Sequence, residues 1–201
     1  MRGLTNKNLR YAQVALLMLV APLIAVLNIS FVNAAELTNR SIVIGTSEVS
    51  AITTHRYNFR VNTSITVGSL EVEYCTNSPF IGTPCTAPAG FSLNSSTIGA
   101  QSGLTGFGID PSSSVNRLVL GRIPAAVTPP TNASITINNV NNPSTPNQTV
   151  FVRISTFASN DASGIRGDRG TVVFSTARQL TVNGFVPPYL TFCVGNIVSG
   201  D

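Results

Sequence analysis

The chain contains no tryptophan, one histidine (His55), one lysine (Lys7) and only 10% charged residues. That charged share is less than half the usual quarter, which excludes a highly charged disordered chain. One histidine and eight acids leave little acid/base inventory for catalysis. His55 stands in line with Tyr57 and Phe59, as a strand-face residue would. No G-x-S-x-G elbow, phosphate-loop sequel or Asp/Asn calcium ladder is present. Glu71 and Glu73 share one strand face, whereas a glycosidase pair should flank a cleft from separate elements. The sequence therefore predicts no catalytic residues, no metal and no cofactor.

Positive charge is also scarce once its location is considered. The formal net charge is +4, but Arg2, Lys7 and Arg10 all lie in the first ten residues. Beyond Ala34 stand nine Arg, no Lys and all eight acids, so 9 − 8 leaves about +1. The basic pI gives no warrant for a nucleic-acid partner.

The basic start is followed by Val14–Leu27, an apolar run interrupted only by Pro22. Phe31-Val32-Asn33-Ala34-Ala35 then supplies small residues before Glu36. This order predicts a hydrophobic signal helix within residues 1–34, cleaved before Ala35, and a single exported domain over 35–201. An uncleaved anchor is the rival reading. A spanning helix needs about 20 apolar residues, and this run reaches that length only by absorbing Asn28 and Ser30. With cleavage no membrane span remains, and the expected location is secreted or extracellular cell surface.

Export permits disulfides. Cys75 and Cys85 bracket a turn-rich loop and are expected to pair, with reduced thiols as the alternative. Cys193 is left over, either a buried thiol or a partner for a second chain or a downstream cysteine. The abrupt stop at Ser199-Gly200-Asp201 raises the expectation of a C-terminally truncated product.

What is abundant is alternation. His55, Tyr57, Phe59 and Val61 alternate with Arg56, Asn58 and Arg60; Leu70, Val72 and Tyr74 alternate with Glu71 and Glu73. Similar runs at Ser41–Ile44, Arg117–Gly121, Ala133–Ile137, Val150–Ile154, Val172–Phe174, Leu180–Val182 and Leu190–Val194 bring the count to about nine strands. Asn- and Pro-rich turns at Thr128–Asn132 and Asn138–Gln148 separate some of them. The pattern predicts an all-β, immunoglobulin-like antiparallel two-sheet sandwich. Ala87–Asp110, rich in Gly and Ser, reads as a long decorated loop, and Arg60 is placed to pair with Glu71 across a hairpin.

Arg166-Gly167-Asp168 is an RGD tripeptide within Ser159–Gly170, which reads as an exposed hairpin tip and hence as a speculative receptor-binding loop. Hairpin tips favour Gly and Asp in any case. Sequons at Asn39, Asn62, Asn94, Asn132 and Asn147 matter only in a eukaryotic secretory pathway.

Several phrases occur together in order: Leu70-Glu71-Val72-Glu73-Tyr74-Cys75, Cys85-Thr86-Ala87-Pro88-Ala89-Gly90-Phe91, Val152-Arg153-Ile154-Ser155-Thr156-Phe157 and Val186-Pro187-Pro188-Tyr189-Leu190-Thr191-Phe192-Cys193. The set resembles uncharacterised exported β-sandwich proteins of ultra-small, host-attached bacteria of the Saccharibacteria type. The resemblance implies export and a sandwich, and it brings no activity or site residues. The expected function is a secreted or cell-surface structural or attachment module without enzymatic activity, facing a host-cell or cell-envelope component. Alternatives are a fibre or pilus-like subunit that self-associates by strand addition, and a glycan-binding module.

Overall fold

The computed structural model describes residues 35–178 and 184. The leader, Leu180–Val182, Leu190–Val194 and Cys193 lie outside the described residues. Among the described residues there are nine strands: β1 Thr38–Ile44, β2 Ile52–Val61, β3 Ile65–Cys75, β4 Thr97–Ser102, β5 Gly108–Ile109, β6 Arg117–Val127, β7 Thr131–Asn141, β8 Thr149–Phe157 and β9 Arg166–Ser175. They form two antiparallel sheets, ordered β1-β2-β7-β4 and β5-β6-β3-β8-β9. The result is an all-β two-sheet sandwich. Among the described residues no helix is long and apolar enough to cross a membrane.

Period-two alternation builds the core directly. Tyr57, Phe59 and Val61 of β2 and Ile135 and Ile137 of β7 face Leu70, Val72 and Tyr74 of β3 and Val152 and Ile154 of β8, all buried. Each such aliphatic side chain contributes about 1.5–3 kcal/mol on burial. The strand partners are mostly distant in sequence: β2 pairs with β7, and β3 with both β6 and β8.

Two sequence expectations fail for that reason. Arg60 and Glu71 do not pair, because β2 and β3 belong to different sheets and the turn between them crosses the sandwich. Glu71 instead meets Arg117 at 2.6 Å and Arg166 at 3.5 Å. Ala87–Asp110 is not a decorated loop either. It buries Phe91, Leu93, Leu104 and Phe107 in the core and supplies edge strands to both sheets, β4 and β5. Its glycines and serines hide the pattern; at Gly103 a positive φ of 74° and an Asn132 carbonyl 1.8 Å from any added Cβ demand glycine.

The outer face of the larger sheet is covered at both ends. At one end the 158–165 connection lies on β3, where the Ser69 hydroxyl donates to the Ser159 carbonyl and accepts from the Ala162 amide. Gly68 permits this approach, since a Cβ there would stand 2.5 Å from the Ala158 carbonyl oxygen. At the other end sits the loop between Cys75 and Cys85.

Candidate functional site: a stapled loop

Cys75 is buried at the end of β3 and bonds to Cys85, with 5.2 Å between their Cα atoms. In the chain-entropy picture a loop this short gains about 2.7 kcal/mol from closure. Within the ring, Asn77 Nδ2 donates to the Pro84 carbonyl, and Asn77 Oδ1 accepts from the Thr86 amide. The Thr83 hydroxyl donates to the Phe80 carbonyl, and Gly82, with φ of 93°, makes the tip turn that other residues resist.

The loop is also pinned from below by one side chain. Arg153 projects outward from β8, yet its side chain is only 2% exposed. Its guanidinium donates to the carbonyls of Ser78 and Thr83, to the Thr83 hydroxyl and to the Glu73 carboxylate at 3.0 Å. Register explains the meeting, since Glu73 lies directly opposite Arg153 across the β3–β8 ladder. Thr171 of β9 adds a hydroxyl bond to the Pro79 carbonyl at 2.7 Å. The product is a rigid loop whose tip residue, Phe80, is 70% exposed.

Phe80 borders an open groove of about 480 Å³ lined by Pro79, Ile81, Glu36, Arg40 and Arg169. Arg40 pairs with Glu36 at 2.6 Å. The groove runs along β9, the last strand of its sheet among the described residues. The mouth thus combines a fixed aromatic ring, aliphatic surface and two arginines with one carboxylate.

Other candidates have different settings. Glu73, Cys75 and Cys85 place ligand-type atoms within 4.8 Å of one another, but the formed disulfide leaves a single carboxylate as a metal donor. His55 is fully buried. Asn142 Nδ2 donates to the Thr46 and Glu48 carbonyls, which turns its Oδ1 toward His55 Nε2 at 3.3 Å. Nε2 therefore carries the proton, and Nδ1 accepts from the Tyr74 hydroxyl at 2.8 Å. Tyr57 completes this chain through its bond to Tyr74. Burial lowers the His55 pKa to about 4, against a weaker raising effect from Asn142, and pushes both tyrosines up. The network ties the two sheets together and has no access to a substrate.

The RGD tripeptide is not displayed as an exposed loop. Arg166, Gly167 and Asp168 open β9, paired with β8. Asp168 is 1% exposed and accepts from the Thr63 hydroxyl at 2.6 Å, while Arg166 leans toward Glu71 and stacks near Phe157. Residues two apart on a regular strand share a face, but the register shift in this stretch of the β8–β9 ladder leaves Arg166 exposed and Asp168 buried, so the two charges are not presented together.

No family model matches the chain, and no curated protein matches it. Among solved structures it is similar to BslA, a bacterial hydrophobin, at 13% identity and a TM-score of 0.42, covering 75% of this chain and 98% of that one. A cohesin module from a Clostridium perfringens family 33 glycoside hydrolase gives 10% identity and 0.39, covering 72% and 100%. The human F-spondin reeler domain gives 9% and 0.35, covering 72% and 96%.

Proposed function

We propose that the chain is a secreted or cell-surface attachment module, without enzymatic activity, that engages a host-cell or cell-envelope component through the stapled loop around Phe80. One observation carries this reading. A 70% exposed aromatic ring is held on a loop fixed by a disulfide and by a buried arginine. Exposed aromatic anchors dominate binding interfaces, and a loop fixed beforehand loses little entropy on docking. Loops on rigid scaffolds are where binding residues concentrate. The disulfide and the leader-like N-terminus support an exported location. The resemblance to exported proteins of host-attached bacteria fits the same reading.

The test is localisation of the tagged chain in its producing cell, during contact with a host cell where there is one. Enrichment on the cell surface, concentrated at contacts, is the expected result. Uniform release into the medium with no surface retention refutes the attachment role.

A further inference from the structure

The two sheets carry charge differently. Three arginines of the larger sheet are ion-paired, Arg117 and Arg166 with Glu71, and Arg153 with Glu73. The smaller sheet, β1-β2-β7-β4, holds no aspartate or glutamate in any of its strands. Its arginines are Arg40, Arg56 and Arg60. Arg40 turns toward β9, where it lies against Gly170 and pairs with Glu36. Arg56 and Arg60 stay on the outer face of β2, because His55, Tyr57, Phe59 and Val61 fill the inner one. Among the described residues neither is ion-paired.

Around them runs a lattice of amides and hydroxyls. Register sets Arg56 opposite Thr136, Asn58 opposite Ser134 and Arg60 opposite Asn132 on β7. On its other side Asn58 faces Ser41 of β1. Asn58 Nδ2 donates to the Ser41 hydroxyl at 3.1 Å, which leaves Asn58 Oδ1 as a fixed acceptor. A dent of about 260 Å³ opens here, lined by Asn39, Asn58, Ser102, Asn132 and Ser134. The two arginines stand four residues apart on one strand, roughly 13 Å, with Asn58 midway. The large apolar side chains exposed on this sheet, Val43 and Ile52, lie at its margins, on β1 and at the start of β2.

We infer that this face binds an acidic polysaccharide, a chain of sugars carrying carboxylates at intervals, laid along the β2–β7 pair. Sugar hydroxyls both donate and accept, and the amides and hydroxyls of the lattice answer them in either sense. The carboxylates pair with Arg56 and Arg60, whose planar guanidinium forks donate two parallel bonds to such a group. Strands free of acids set no like charge against the incoming chain. A protein partner fits this face less well. Protein interfaces centre on packed aromatic anchors, and none stands between Arg56 and Arg60. The face lies across the sandwich from the Phe80 loop, so the inference stands apart from the reading of that loop.

The test is calorimetric titration of the purified chain with polygalacturonate, alginate and hyaluronan at low salt, beside neutral dextran and polyglutamate. Binding to at least one of the three acidic polysaccharides is expected, weakened by added salt, with none to dextran. Arg56→Gln and Arg60→Gln should each lower that affinity about tenfold, the effect of losing one charge-assisted hydrogen bond, at unchanged Tm. Arg166→Gln removes the same charge from the opposite sheet and should leave the affinity unchanged, as should Phe80→Ser. No binding to any of the three polysaccharides overturns the inference. An equal loss in Arg166→Gln also overturns it, because net charge alone is then being read. Polyglutamate bound as tightly as the best polysaccharide overturns the sugar assignment. A loss confined to Phe80→Ser overturns this face and leaves the attachment role of the loop standing.

Discussion

Replacing Arg153 by Met removes the pin beneath the stapled loop while keeping most of its volume. The guanidinium, 2% exposed, makes five hydrogen bonds, and its loss leaves the Ser78 and Thr83 carbonyls and the Glu73 carboxylate without that partner. Breaking a buried ion pair from one side costs about 3–5 kcal/mol. Glu73 is 26% exposed and regains water, which places the expected cost near the lower end, about 3 kcal/mol. With a urea m-value of about 2 kcal/mol per molar, the unfolding midpoint falls by about 1.5 M at unchanged slope. Hydrogen exchange should show the Phe80 and Thr83 amides released well before the core strands. A midpoint shift below about 0.5 M, with loop amides still protected, refutes Arg153 as the pin.

Other perturbations probe the supporting framework. Burial depresses the His55 pKa to about 4, whereas the unfolded chain binds that proton near 6.5. The unfolded state therefore holds more protons between those values, so stability falls as pH drops from 6.5 to about 4, by about 3 kcal/mol in all, and then levels. Unfolding midpoints against pH test this, and His55→Gln should remove that contribution to the slope. Opening the disulfide with Cys75→Ser and Cys85→Ser should cost about 2–3 kcal/mol, read by calorimetry as a fall of several degrees in Tm. Gly103→Ala should cost at least about 2 kcal/mol in denaturant titration, because both its φ and the Asn132 carbonyl oppose a side chain.

Alternation made the sandwich legible because its strands turn alternate residues to the core, as His55–Val61 shows; Leu70, Val72 and Tyr74 follow the same rule even though Glu71 between them is also covered. The Cys75–Cys85 pair was legible because spacing and turn residues point to closure. Pairing between strands distant in sequence was not. It separates Arg60 from Glu71 and brings Arg153 to Glu73, though the outward position of Arg153 between Val152 and Ile154 is a signal in hindsight. β4 and β5 are short strands, each carrying one glycine, with no apolar alternation to reveal them. The RGD tripeptide misled because its glycines suggest a turn, while β8 pairing draws it into a strand. Phe80 carried no sequence signal of exposure; only the bonds holding its loop turn it outward.

The attachment account is tested most directly by binding of the purified chain to the surfaces it contacts, comparing wild type with Phe80→Ser. Phe80 is mostly in solvent, so the substitution should change stability by less than about 0.5 kcal/mol. Truncating a central anchor costs about 2 kcal/mol or more of binding, so a loss of about 30-fold in affinity is predicted at unchanged Tm. Equal affinity of the two proteins for every surface that the wild type binds contradicts the account.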